Sequence, residues 1–509
     1  MLNLGAINAS ILTLVTFLPA IGALVLAVFP RKVIAERWFA LGISLVNFIF
    51  SLHLLRSDIP TQLSTATVFQ FEIDIPWITS PNIHYHLGVD GISVWLVILT
   101  TFLVPLSILV SWHSVSHRVK EFYVLILLLE TAMIGVFLAL DMFLFYVFWE
   151  ATLIPMALLI GIWGHERRIY ASVKFFLYTA IASVFMLGAI IWLYSHFHTF
   201  DFATIKQALQ TNPSEISWMA SFWLFLGFFI AFAVKVPLWP LHTWLPDAHV
   251  EAPTAGSVLL AGVLLKMGTY GLLRFNVGLF PDQARFNGPW IMTLAIVGVI
   301  YGALVAMVQP NLKKLIAYSS VSHLGFVVLG IFSLTTFGMD GAVFQMLNHG
   351  VSTGALFMLA GMLYERRHTY EIKNYGGLAT PMPLYATFFL VITLSSIGLP
   401  LLNGFVGEFL ILAGAFQAKA LWGALAATGV IWSACYMLWM YQRVFYGAVT
   451  DDHNAHLPDI DARERLALWP TVIAALIMGL APWWWLARID SGVLKLLPTL
   501  KTITQVIGR

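Results

Sequence analysis

The sequence predicts an all-α integral membrane protein with about 14 transmembrane helices, and three observations carry that reading. Of the 509 residues, 60% are hydrophobic and only 10% charged, where a soluble domain carries about 25% charged residues; the mean hydropathy is +0.85. Apolar runs of roughly 20 residues, the length a helix needs to cross hydrocarbon, recur from end to end. The longest interruptions, 56–88, 198–217 and 446–465, are polar, rich in turn residues and too short for an independent domain. Helices are the reading because lipid requires each spanning segment to satisfy its own backbone, and these runs are about twice a barrel strand's length.

The spans centre near residues 20, 46, 100, 130, 152, 184, 228, 264, 299, 325, 351, 395, 433 and 477, within a single polytopic domain 1–509. The first, Ile11 to Phe29, has no basic residue before it, since Arg31 is the earliest; a signal peptide starts with a positive region, so this is read as a retained span. Alternate loops differ in basic charge: one set (31–37, 118–120, 167–174, 313–314, 366–373, 443–465) holds 16 Lys and Arg and the other 5. The richer set is expected in the cytoplasm, which puts both termini on the periplasmic side.

Spans one to three occupy 1–120, spans four to eight 121–274, spans nine to thirteen 290–446, and span fourteen 466–488. The two central blocks have five spans each, and an odd number forces them into opposite orientation. Such inverted repeats, with broken helices at matching positions, characterise secondary transporters. Spans seven and twelve are the expected broken helices: Pro237 and Pro240 follow Lys235, and Gly398-Leu399-Pro400 precedes Glu408.

The net charge of +2 points to no nucleic-acid partner. The single cysteine, Cys435, rules out a disulfide framework or a four-thiolate iron–sulfur cluster within the chain. Six ionisable residues lie well inside apolar spans: Glu150, Lys235, Lys266, His323, His349 and Glu408. A charge at the centre of a span costs about 2.5–3.5 kcal/mol on insertion scales, so each is expected to face protein or water and to have a partner. Desolvation drives carboxylate and ammonium groups toward neutrality and an opposite charge restores them, so joining or parting a pair moves a proton. On that logic Glu150 partners Lys235, Lys266 is the middle carrier, His323 and His349 are relays of near-neutral pKa, and Glu408 is the terminal group.

Each has a plainer reading: a structural ion pair for Glu150 and Lys235, snorkelling for Lys266, interhelical hydrogen bonds for the histidines, a cap for Glu408. Asp90, at the start of span three, and Glu130, in span four, are read as structural, the first as a helix cap. His242, Asp247 and His249 match no standard metal-site spacing, and no metal is expected. Small residues along span eight, among them Gly262, Gly268 and Gly271, let neighbouring helices approach Lys266 closely.

The segment FFIAFAVKVPLWPLHTWLPDAHVEAPTAGSVLLAGVLLKMGTYGLLRF, residues 228–275, resembles the hallmark of the antiporter-like membrane subunits of respiratory complex I, a family shared with multisubunit cation/proton antiporters and membrane-bound hydrogenases. FLFYVFWEATLIPM carries the family's span-five glutamate onto Glu150, AVKVP its span-seven lysine onto Lys235, and LLKMGTYG its span-eight lysine onto Lys266. LIAYSSVSHLGF and FQMLNHGVSTGALF place the polar-axis histidines at His323 and His349. PLLNGFVGEFLIL has Glu408 where L- and N-type relatives are expected to carry lysine, which points to the M-type branch. The resemblance implies a proton-translocating subunit of the membrane arm in a bacterial inner membrane, beside L-type and N-type antiporter-like subunits. It implies no cofactor on this chain; NADH, FMN, iron–sulfur clusters and quinone would belong to the rest of the complex. Two other functions fit the composition, a cation/proton antiporter subunit and a structural membrane scaffold. Glu408 argues against the first, and ionisable groups in so many neighbouring spans against the second.

Overall fold

The computed structural model describes residues 4–28, 30–56, 69–449 and 451–496. Its long helices are α1 Leu4–Val28, α2 Val33–Leu52, α3 Ser93–Val110, α4 Val119–Leu138, α5 Met142–Trp163, α6 Arg168–Phe197, α7 Trp218–Lys235 and α8 Thr254–Val277. They continue as α9 Pro281–Met307, α10 Leu312–Phe332, α11 Thr336–Arg367, α12 Pro383–Ser396, α13 Asn403–Ala418, α14 Ala420–Phe445, α15 Ala462–Leu480 and α16 Trp483–Leu494. Among the described residues, 12 are long and apolar enough to cross a membrane, or 13 if α15 and α16, bent by 72°, form one crossing. The count of 14 read from the sequence is reached only if α12 and α13 together make one interrupted span, because at 14 and 16 residues neither is long enough alone.

Both expected breaks are present. Helix α7 stops at Lys235, and turns carry the chain to a short helix, Trp244–Glu251, before α8 begins. Between α12 and α13 the chain takes left-handed backbone at Gly398 (φ 75°) and Leu401 (φ 77°), a conformation that ends helices; Pro400 between them has no N–H to continue one. Helix α8 widens into π-helical turns at Leu260–Leu264 and Leu272–Val277, on either side of Lys266.

The helices are unequally enclosed. All of the apolar windows of α8 and α11, and 94% of that of α10, are buried inside the protein, against 33% for α2 and α14. The helices that carry Lys266, His349 and His323 are thus the innermost ones. Elsewhere two turns of chain are built alike. The Met142 N–H donates to Phe200 O (2.9 Å) and the Phe202 N–H to Leu140 O (2.9 Å); the Leu312 N–H donates to Tyr370 O (2.8 Å) and the Ile372 N–H to Pro310 O (2.8 Å). Asp141 caps α5 and Asn311 caps α10, while α6 and α11 each end at a left-handed histidine, His198 and His368. The offset along the chain is the same for every one of these pairs.

An all-helical reading missed one element. Within the polar stretch 56–88, β1 Gln70–Ile78 pairs antiparallel with β2 Ile83–Val89, with Ile73 opposite Leu87 and Ile75 opposite Tyr85. Its signal was in the sequence: Gln70 to Ile75 alternates polar and apolar residues strictly, the period of a strand. The hairpin is tied down by His86, whose Nδ1 lies 2.9 Å from Asp201 Oδ2 and whose Nε2 lies 2.8 Å from Glu72 Oε1. Asp201 also caps the helix Phe202–Thr211. Burial opposes a charge on His86, but its hydrogen bonds to the two carboxylates outweigh it and push its pKa up to about 9.

A second tie was invisible in the sequence. Arg274, inside α8, puts Nη2 2.7 Å from Asp90 Oδ2, and both side chains are buried. Asp90 is the expected cap as well, accepting from the Ile92 and Ser93 N–H groups. Arg274 also donates to the Tyr270 hydroxyl (3.2 Å), which in turn donates to Phe137 O (3.2 Å) in α4. Glu130 accepts from the Asn47 amide (2.8 Å), which fastens α4 to α2.

Two outcomes test these ties. A histidine whose folded pKa lies above its unfolded value contributes stability fully below the unfolded pKa, about 6.5, and loses it as pH rises through the folded one. Hydrogen–deuterium exchange of 70–89, corrected for the intrinsic rate, is therefore expected to accelerate as pH rises from about 6.5 to about 9 and to level off above it, and His86→Ala to remove that pH dependence. Arg274→Met leaves Asp90 buried without its partner and is expected to destabilise the fold by about 3–5 kcal/mol; Asp90→Asn in the same chain is expected to recover part of this, as measured by thermal unfolding in detergent.

Candidate functional site

The polar centre grows from the innermost helices. The Lys266 ammonium donates to Ala261 O within the π turn of α8 and lies 2.6 Å from His349 Nδ1 of α11. The ring of His349 stands 5.9 Å from that of His323 in α10, centroid to centroid. His323 Nδ1 is 3.1 Å from Glu408 Oε1 in α13. Four of the six residues singled out by sequence thus form one continuous line across four helices, and each is at most 3% exposed.

Uncharged polar residues brace the line. Gln345 donates to Glu408 Oε1 (3.2 Å), and Asn348 donates to Gln345 Oε1 (2.9 Å) and Asn403 O (2.8 Å). Ser395 donates to Asn403 Oδ1 (2.5 Å) and shares a hydrogen bond with Ser352 (2.6 Å). A cavity of about 10 Å³ among His323, His349, Asn348 and Ser395 has room for about one water. Sequence reasoning missed these residues, although amides within apolar spans are themselves a signal, since lipid cannot satisfy them.

Glu150 lies in α5 and Lys235 at the end of α7, each acting on the other electrostatically. Among the described residues no ion pair within 4.0 Å joins them. Lys235 Nζ has no hydrogen-bond partner and instead lies over two aromatic faces, 5.4 Å from the ring centre of Trp149 and 5.5 Å from that of Phe175. The expected pair is open in this structure.

Close approach explains the glycines. A Cβ on Gly268 would stand 2.9 Å from Phe232 O and from Val236 N, so α8 meets the broken end of α7 backbone to backbone beside Lys235. At Gly398 the φ of 75° already excludes most side chains, and a Cβ there would sit 2.8 Å from Glu408 Oε2. The break in span twelve thus places bare backbone against the Glu408 carboxyl.

The three residues that suggested a metal do not converge. Asp247 pairs with Lys174 (2.6 Å), the ring of His242 faces Tyr301 at 5.1 Å, and His249 stacks on Phe357 at 4.4 Å. Among the described residues no group of three His, Cys, Asp or Glu side chains is placed to hold a metal ion.

Gly398→Ala is expected to destabilise the chain by about 1 kcal/mol from backbone strain alone, and in addition to push the Glu408 carboxyl off His323. A thermal shift of the purified protein reads the first effect, and the carboxyl stretch in infrared difference spectra against Glu408→Gln reads the second.

The chain is similar to known proteins over nearly its whole length. Residues 139–433 match the family described as NADH:quinone oxidoreductase/Mrp antiporter, transmembrane, and residues 38–136 match the amino terminus of NADH-ubiquinone oxidoreductase chain 4. The chain is 48% identical over 488 residues to NADH-quinone oxidoreductase subunit M of Rhodobacter capsulatus, covering 93% of each. It is 44% identical to NADH-ubiquinone oxidoreductase chain 4 of Marchantia polymorpha, covering 91% of this chain and 92% of that one. Among solved structures it is similar to a chain of respiratory complex I from Thermus thermophilus with bound NADH, with a TM-score of 0.84, 34% identity, and 96% and 99% of the two chains covered. It shares a fold with a chain of an archaeal membrane-bound sulfane sulfur reductase, with a TM-score of 0.83, 23% identity, and 93% and 76% covered. With a membrane interior built around one polar line and likeness to these relatives over nearly its whole length, the chain belongs to the subunit M family of NADH-quinone oxidoreductase.

Proposed function

We propose that this chain is a membrane-arm subunit that moves protons along Glu150, Lys235, Lys266, His349, His323 and Glu408, driven by NADH oxidation and quinone reduction elsewhere in its complex. The observation that carries the reading is the succession Lys266, His349, His323, Glu408 in the enclosed middle of the bundle, hydrogen-bonded at its two ends and joined in the middle by the facing imidazole rings. A lysine, two imidazoles and a carboxyl in series can each hold and release a proton, and the neutral amides and hydroxyls around them orient the carriers without trapping charge. The open Glu150 and Lys235 pair fits a start point: closing it holds a proton on lysine, and opening it frees that proton for the next carrier.

The matched turns at 140–142 with 200–202 and at 310–312 with 370–372, at constant offset, support two inverted five-helix blocks, 121–274 and 290–446. The exposed apolar faces of outer helices such as α2 and α14 fit lipid and neighbouring L-type and N-type subunits. On this reading the chain sits in a bacterial inner membrane with both termini periplasmic, and the redox groups lie on other subunits.

The test is NADH-driven proton uptake by membrane vesicles carrying Glu150→Gln or Lys235→Ala, with assembly and electron transfer to an artificial acceptor as controls. Uptake and coupled quinone reduction are expected to fall at least about tenfold, equivalent to ~1.4 kcal/mol, while the controls hold. Uptake at the normal rate in an assembled complex would make the pair structural and overturn the reading.

A further inference from the structure

Away from the polar line, a cavity of about 690 Å³ opens where the helix Phe202–Thr211 ends and α7 and α9 begin. That volume falls within the about 300–1,000 Å³ of small-molecule sites. Its apolar lining includes Ile216, Leu279 and Phe280, each at most 7% exposed. Ser214, Ser217 and Ser221 line it from the loop before α7 and the first turn of that helix. Ser217 Oγ accepts the Ala220 N–H (3.2 Å) as the cap of α7, which leaves its own O–H to donate. Of the residues that line the cavity two are charged: Asp282 in the first turn of α9, and Lys495 just past α16. Among the described residues neither has an ion-pair partner within 4.0 Å. Two hydrogen bonds hold the walls in place: Lys206 Nζ donates to Lys495 O (3.5 Å), and Gln283 Nε2 donates to Trp218 O (3.1 Å). Beside the cavity the rings of Trp218 and Phe286 meet edge to face at 5.5 Å, and both are exposed, as are Met219 and Trp223 further along α7. Aromatic side chains at the end of a span mark the boundary between headgroups and hydrocarbon. The cavity therefore lies at headgroup depth, with an exposed apolar track leading away from it along α7.

We infer that this cavity seats the headgroup of a phosphoethanolamine phospholipid from the surrounding bilayer, with its phosphate on Lys495, its ammonium on Asp282 and its acyl chains over Trp218 and Phe286. One cation and one anion in the same cavity match a headgroup that carries one of each. A headgroup of net negative charge, such as phosphoglycerol, would satisfy Lys495 and set a second anion against Asp282. A primary ammonium donates N–H groups to a carboxylate, which a quaternary one cannot do, and choline recognition uses a cage of aromatic rings that this serine-lined cavity lacks among the described residues. The serine hydroxyls are donors of the kind a phosphate accepts. A water-soluble ligand would make no use of the apolar track, whereas acyl chains cover it. The inference does not depend on the proton line. It gives the lipid a structural place, bridging the start of α7 in the block 121–274 and the start of α9 in the block 290–446 where the two meet.

The experiment places the assembled complex in phosphatidylcholine vesicles with a trace of phosphatidylethanolamine that carries a photoreactive acyl chain. Irradiation followed by peptide mass spectrometry reads labelling at 218–223 and 286, with the exposed face of α14 at 431–439 as the reference for lipid that merely surrounds the protein. Replacing part of the phosphatidylcholine by unlabelled phosphatidylethanolamine is expected to lower labelling at 218–223 about fivefold more than the same share of phosphatidylglycerol does. Lys495→Gln and Asp282→Asn are each expected to lower it about fivefold, the reference being unchanged, and Asp282→Asn also to let phosphatidylglycerol compete. Labelling that both lipids dilute equally, or that neither variant alters, would mark ordinary boundary lipid and overturn the inference. Labelling absent from the intact chain and gained when residues 497–509 are removed would assign the cavity to that segment and overturn it as well. If one variant fails to assemble, the other decides by the same criteria.

Discussion

The rest of this structure depends on one constraint: an ionisable side chain at mid-membrane must be kept from lipid on every side. A lysine in the middle of α8 can be tolerated only where other helices surround it, and the outer helices supply that enclosure. This explains the gradient of burial, complete for α8 and α11 and only a third for α2 and α14. It also fits the position of the π turns of α8 and of the residues just after Lys235, which are buried among other helices where protein groups can satisfy irregular backbone that hydrocarbon could not. The turn around Gly398 differs, with Leu399 and Leu401 exposed.

The same irregularities lie beside the buried ionisable groups. The Lys266 side chain donates to Ala261 O within a π turn of α8, and the break in span twelve sets Gly398 against the Glu408 carboxyl. Departures from ideal helix geometry thus accompany the polar line, while the regular parts of the bundle enclose it.

Much of this was legible in the sequence. The apolar spans and the two helix breaks follow from hydropathy and from proline and glycine placement, and the cost of charge in lipid is what singled out the six candidate residues. The resemblance of 228–275 supplied the family, which the comparisons confirm. What stayed hidden was pairing at long range. Nothing local joins Arg274 to Asp90, 184 residues apart, or draws Lys313, which reads as a loop cation beside Lys314, into the interior. The β-hairpin is a different case: its alternation was readable but lay in a stretch taken as polar connection. His249 was set beside His242 and Asp247 because they are close in sequence, yet its ring stacks on Phe357 while that of His242 faces Tyr301 and Asp247 pairs with Lys174.

The aromatic cradle of Lys235 separates two tasks that a carboxylate would combine. A ring face attracts an ammonium but has no lone pair that can take its proton, so a cation over Trp149 and Phe175 is stabilised without being offered a base. A carboxylate in the same place would be both anchor and proton acceptor.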